Sequence, residues 1–96
     1  MDFKVLITEN ALEDLKEIVE FVAADDPLAA ARLGEKLLEH ALSLRFMPTR
    51  CPLHDRHRGI RKMTTAPYLV YYTCDDSSGT VNILHFWHGA RIAPEF

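Results

Sequence analysis

The sequence is short of several things, and each shortage excludes a class. It has two cysteines, Cys51 and Cys74. One bridge at most could form, and two cysteines in a chain with its own apolar core are expected as reduced thiols rather than as a staple. No apolar run approaches the ~18 residues of a membrane span. Met1-Asp2-Phe3-Lys4 lacks the charged-then-apolar signature of a secretory leader, so a cytoplasmic protein is expected. Only four glycines occur, and none builds a phosphate-binding loop or a nucleophile elbow. Ser43 falls in a helical segment, and Ser77 and Ser78 fall in a turn, with no base implied nearby. No repeat or low-complexity tract is present.

What remains is an ordinary globular composition. Apolar residues make up 48% and charged residues 26% of 96, which is far from the disordered regime. Residues 1–96 are expected to form a single domain. The net charge is -3, which argues against a general nucleic-acid binder. The charge is unevenly spread. Residues 1–48 carry ten acids and five bases, whereas residues 49–96 carry six bases and four acids, together with four of the five histidines. Within Arg50–Lys62 five bases face one acid. This asymmetry points to one basic working surface on an acidic body.

Periodicity gives the elements. Phe3–Ile7 is a β-branched and aromatic run, read as a strand. Thr8 can cap a helix over roughly Glu9–Ala24, where Leu12, Leu15, Ile18, Val19 and Val22 recur at helical spacing. Asp26 at N-cap and Pro27 at the first helical position start a second helix, which stops before Pro48. Met47–Arg58 has two prolines and no periodicity, and reads as a long loop. Three strands follow: Gly59–Thr65, Tyr68–Cys74 after a Thr65-Ala66-Pro67 turn, and Val81–Trp87 after Asp75–Gly79. The order β-α-α-β-β-β predicts an α+β fold with a helical hairpin on a four-stranded antiparallel sheet. Leu12, Leu15, Val19, Leu38 and Leu42 are expected to face that sheet.

Candidate chemistry is sparse. Cys51, His54 and His57 have ligand-like spacing, but four ligands are usual and neighbouring arginines repel a cation, so a solvated loop is the expected reading and no metal is assigned. In a regular strand His85 shares a face with Val81, Ile83 and Trp87, opposite His88. His88, at a strand end near Arg91, suits a general acid or base. Arg56, Arg58, Arg61 and Arg91 could converge on an anion or an acidic partner. Tyr71 points away from Tyr68 and Tyr72.

Taken in order, several segments resemble the RelE/ParE superfamily of bacterial toxins. They are Ala11-Leu12-Glu13-Asp14-Leu15-Lys16-Glu17-Ile18, Pro27-Leu28-Ala29-Ala30-Ala31, Gly59-Ile60-Arg61, Tyr68-Leu69-Val70-Tyr71-Tyr72, Val81-Asn82-Ile83-Leu84 and His88-Gly89-Ala90-Arg91. The resemblance spans nearly the whole chain. It implies the toxin half of a type II toxin–antitoxin module, a group also described as plasmid stabilisation proteins. Its partner would be a cognate antitoxin, through which alone the toxin meets DNA. No cofactor is implied.

Two activities occur on this fold. RelE-like members cleave mRNA on the ribosome, and ParE-like members inhibit DNA gyrase. Gly59-Ile60-Arg61, His88-Gly89-Ala90-Arg91 and the sequence pI of 5.9 favour the ParE-like branch. In that reading Arg56, Arg58, Arg61 and Arg91 contact the target. In the nuclease reading His88, Arg61 and Arg91 are the catalytic set. A third reading is a weakly toxic, antitoxin-binding module. In each case the antitoxin is expected on the hairpin at Leu12, Leu15, Val19 and Leu38, through a mainly hydrophobic contact.

Overall fold

The computed structural model describes residues 2–96. The elements are β1 (Lys4–Ile7), α1 (Glu9–Ala23), α2 (Pro27–Leu42), two 3₁₀ turns (Ser43–Arg45 and Pro48–Arg50), β2 (Leu53–Asp55), β3 (Ile60–Thr65), β4 (Tyr68–Asp75) and β5 (Thr80–His88). The local signals act as read. Thr8 accepts from the Ala11 amide at 3.3 Å, and its hydroxyl donates to the Ile83 carbonyl at 2.7 Å. One side chain thus starts α1 and ties that start to β5. Asp26 accepts from the Ala29 amide at 3.1 Å, with Pro27 behind it. The helices lie against each other where Gly34 meets Val19: an added Cβ would stand 3.2 Å from a Val19 methyl.

The α+β class and the hairpin-on-sheet arrangement are as expected, but the sheet is five-stranded and mixed. Its order is β1-β5-β4-β3-β2, with β1 parallel to β5 and the other pairs antiparallel. The helical hairpin carries the chain from the β1 edge to the β2 edge, so that the returning meander ends with β5 parallel to β1. The additional strand, β2, is a three-residue edge inside the segment read as a loop.

The core lies between hairpin and sheet. Leu15, Leu37, Ala41 and Leu44 pack on Val70, Tyr72, Val81, Ile83 and Phe86. Of the residues expected to face the sheet, Leu15 is buried, and Val19 and Leu38 are half-buried against this cluster. Leu12 and Leu42 are instead 50% and 47% exposed. Leu12 lies one position beyond Ala11, the residue that α1 actually buries, so the helix's inward stripe runs through Ala11, Leu15 and Ile18.

A β-bulge in β5 resets the faces of the last strand. Tyr72 pairs Ile83 while Tyr71 pairs His85, so Leu84 is an extra residue. Ile83 and Phe86, three apart, therefore both face the core. His85 faces away from Val81 and Ile83, contrary to the regular-strand reading. It keeps Trp87 as a neighbour, with ring centroids at 5.4 Å.

Candidate functional site

The two faces of the sheet's free regions differ. On the helix side, beyond the packed core, a groove of about 360 Å³ runs between α1 and the ends of β4 and β5. Ile18, Phe21 and Val22 form one wall with Asp14 and Glu17, and Tyr68, Phe86, His88 and Arg91 form the other. Phe21 is 82% exposed at its rim, and Leu28, next along the hairpin tip, is 61% exposed. A large aromatic left open beside an apolar groove marks a surface for a partner rather than a completed core.

His88 belongs to this groove. Its ring stands edge-on to Tyr68 at 5.3 Å, and its Nδ1 accepts from the Ala90 amide at 3.0 Å. The turn is tight. A Cβ on Gly89 would come within 3.0 Å of the Pro67 carbonyl, which explains a glycine there. Arg91 follows and lies over the Trp87 ring, 3.9 Å from its centroid, a cation–π contact worth about 0.5–2 kcal/mol.

Arg61 lies elsewhere. Opposite Tyr72 in the β3–β4 ladder, it shares the helix-facing side with Tyr72 and Met63. Its guanidinium donates to the carbonyls of Cys51 at 2.6 Å and Thr49 at 3.1 Å, pinning the loop that precedes β2. Its level on β4 and that of His88 are four residues apart, about 13 Å along the strand. Arg61, His88 and Arg91 therefore do not form the single patch the sequence suggested. Arg56 and Arg58 project from the exposed turn between β2 and β3, and Arg58 donates to the main-chain oxygen of Phe96.

Cys51, His54 and His57 do not come together as ligands either. Cys51 packs toward the core beside Tyr72, while His54 sits against Tyr71 on the other sheet face. No group of three or more metal-ligating side chains occurs among the described residues. Cys51 and Cys74 are both free thiols. Tyr72 donates its hydroxyl to the Pro48 carbonyl. Burial, with the Cys51 thiol beside it, pushes the Tyr72 hydroxyl well above the usual tyrosine range, and burial also raises Tyr71.

The sign of that shift gives an expected result. A raised folded-state pKa means that the stabilisation is fully present below about pH 10 and is lost as pH rises through the folded value. Thermal melts from pH 7 to 11 should show stability falling above about pH 10. Tyr72→Phe should shallow that fall, while costing about 0.5–1.5 kcal/mol at pH 7 for the lost hydrogen bond.

The outer face of the sheet holds what the sequence reading missed. β1 covers β5 only as far as Ile83. Past that point Asp14 of α1 reaches His85, Oδ2 to Nδ1 at 2.6 Å, with both side chains about 15% exposed. His54 lies edge-on to Tyr71 at 5.0 Å, and Phe96 closes over both. Tyr71 is thereby only 2% exposed although no helix covers that side. These five residues come from four elements and the segment after β5, and no spacing rule groups them.

Comparison with known proteins adds the family. The sequence model of the ParE toxin of the type II toxin–antitoxin system, parDE, matches residues 5–93. The chain belongs to the ParE toxin family. Among solved structures it is similar to the chromosomal ParDE toxin–antitoxin system of P. aeruginosa. There the TM-score is 0.77 and the identity 17%, over 90% of this chain and 95% of that one. It is also similar to the toxin–antitoxin complex RelBE2 of Mycobacterium tuberculosis. That match has a TM-score of 0.70 and 26% identity, over 92% of this chain and 99% of that one. No curated protein matches the chain. Among the described residues of this ParE-family toxin, no helix is long and apolar enough to cross a membrane.

Proposed function

We propose that this ParE-family toxin acts by binding DNA gyrase and is neutralised by a cognate antitoxin seated on the helical hairpin and its groove. The observation that supports a binding mode of action is the dispersal of the arginines. Arg61 is engaged by loop carbonyls, Arg91 by Trp87 and Arg58 by Phe96. Arginines that stabilise a developing phosphate charge must converge on one point, and these do not. A surface that recognises a protein has no such requirement. Arg56, Arg58 and Arg91 are exposed at separate places on the surface, and together with Arg61 they are the target contacts of this proposal. The acidic pI of 5.9 supports it too, since docking on ribosomal RNA calls for many neutralised phosphates.

The antitoxin surface proposed here differs in detail from the one read in the sequence. Of Leu12, Leu15, Val19 and Leu38, only Leu12 is exposed; the others serve the intramolecular core. Phe21, Leu28 and the groove wall take their place, and an amphipathic helix is the ligand such a groove fits. The two similar structures are those of toxin–antitoxin systems, which supports a proteinaceous partner here.

One observation favours the second reading, a RelE-like mRNA endonuclease. The Asp14–His85 pair orients an imidazole beside Tyr71, and an oriented histidine can move protons. In that reading the sequence-derived set His88, Arg61 and Arg91 gives way to His85. Growth arrest on induction separates the two. Under the gyrase reading His85→Gln should leave arrest intact and ribosome-bound mRNA uncut. Loss of a proton-transfer group from a nuclease should instead lower cleavage about 10²–10⁴-fold and abolish arrest.

A further inference from the structure

The segment after β5 does not trail into solvent. Trp87 Nε1 donates to the Ile92 carbonyl at 2.9 Å, and Arg58 donates to the main-chain oxygen of Phe96. Between these two fixings the chain crosses the outer sheet face and delivers the Phe96 ring into a slot. The walls are Tyr71 at 5.3 Å, His85 at 5.7 Å and His54 at 5.9 Å between ring centroids. The slot therefore holds an aromatic ring on three sides, with the Arg58 guanidinium beside it. Asp14 fixes one wall by holding His85.

We propose that this slot is a recognition site for an aromatic residue of a partner polypeptide, and that Phe96 occupies it in cis as a strap that the partner displaces. The ring geometry favours a peptide over a nucleobase. All three walls meet Phe96 edge-on, at interplanar angles of 62° to 66°. Phenyl rings pack well in that way, whereas bases bind single-strand platforms by face-to-face stacking. Gly89 and Ala90 form an exposed turn between β5 and the strap. This inference adds to the toxin reading without depending on gyrase being the target.

The test uses the full chain, its Phe96→Ala and Arg58→Ala variants, and a synthetic peptide with the sequence of residues 91–96. The readout is the NMR signals of the His54, Tyr71 and His85 rings. Phe96→Ala should shift all three, and Arg58→Ala should move them in the same direction by loosening the strap. The peptide should bind the Phe96→Ala chain saturably and restore the parent shifts. A strap that keeps the slot open for a tenth of the time or less should make binding to the parent chain about tenfold weaker or more. A peptide with alanine in the phenylalanine position should not bind. Unmoved ring signals in a folded Phe96→Ala chain would overturn the strap. Failure of the peptide to bind, or binding of a single-stranded hexanucleotide at the same rings, would overturn the proposed ligand class.

Discussion

Phe86→Ala should destabilise the chain by about 3–5 kcal/mol, the range for removing a buried phenylalanine. Phe86 is 1% exposed, sits in the central sheet strands opposite Val70, and its ring also forms part of the groove wall. Alanine there would leave a void that neighbours fixed on two strands and a helix cannot close. A domain of this size is stable by roughly 5–15 kcal/mol, so the loss is a large share of the total. Urea unfolding should show the midpoint falling with the slope unchanged. A midpoint within experimental error of the parent would mean that the core is not organised around this ring.

Phe21 is the counterpart. It is 82% exposed, so Phe21→Asp should change the stability of the isolated chain by no more than about 0.5 kcal/mol. Its effect should appear only with the antitoxin present. An aromatic at the rim of an apolar groove is the kind of residue that dominates an interface, and its loss costs about 2–4 kcal/mol of binding. Calorimetric titration with the cognate antitoxin should register that cost as a fall of about 30-fold to 1,000-fold in affinity. Co-expression should then no longer protect cells from the toxin. Unaltered affinity would place the antitoxin on another surface. The two substitutions thus separate the residue that holds the fold together from the one held out for a partner.

How much of this was legible in the sequence depends on the range of the interaction. Local signals carried the helices: the Thr8 cap, the Asp26-Pro27 start and the 3.6-residue spacing all act on neighbouring residues. The β4–β5 turn was legible for the same reason, since Asp75 accepts from the Ser77 amide and hydroxyl at 2.9 and 2.6 Å. Those bonds also hold the Asp75 carboxyl below its ordinary range. Strand direction was not legible. Nothing in Lys4–Ile7 says whether it pairs parallel or antiparallel; its partner β5 is the last strand, reached only after the hairpin has led to the far edge and the β2–β5 meander has returned. The three-residue β2 was hidden because its pairing depends on β3 and not on any propensity of Leu53-His54-Asp55.

The candidate site was the least legible part, and register is the reason. One extra residue at Leu84 moved His85 to the face opposite the one expected, and so toward Tyr71 and Asp14. Arg61 was singled out as a charge, but its position opposite Tyr72 turned it toward loop carbonyls. His88 was correctly placed at the strand end near Arg91, yet its ring nitrogen is engaged by the Ala90 amide. A sequence shows which residues carry charge, but the ladder decides what each of them meets.

The central claim is that this ParE-family toxin arrests cells by binding gyrase rather than by cutting RNA. The most direct measurement is supercoiling of relaxed plasmid by purified gyrase with increasing toxin, with and without the antitoxin. Dose-dependent loss of supercoiling is expected, reversed by the antitoxin and left unchanged by His85→Gln. Supercoiling unaffected at every toxin concentration, with mRNA cut on ribosomes by the same preparation, would contradict it.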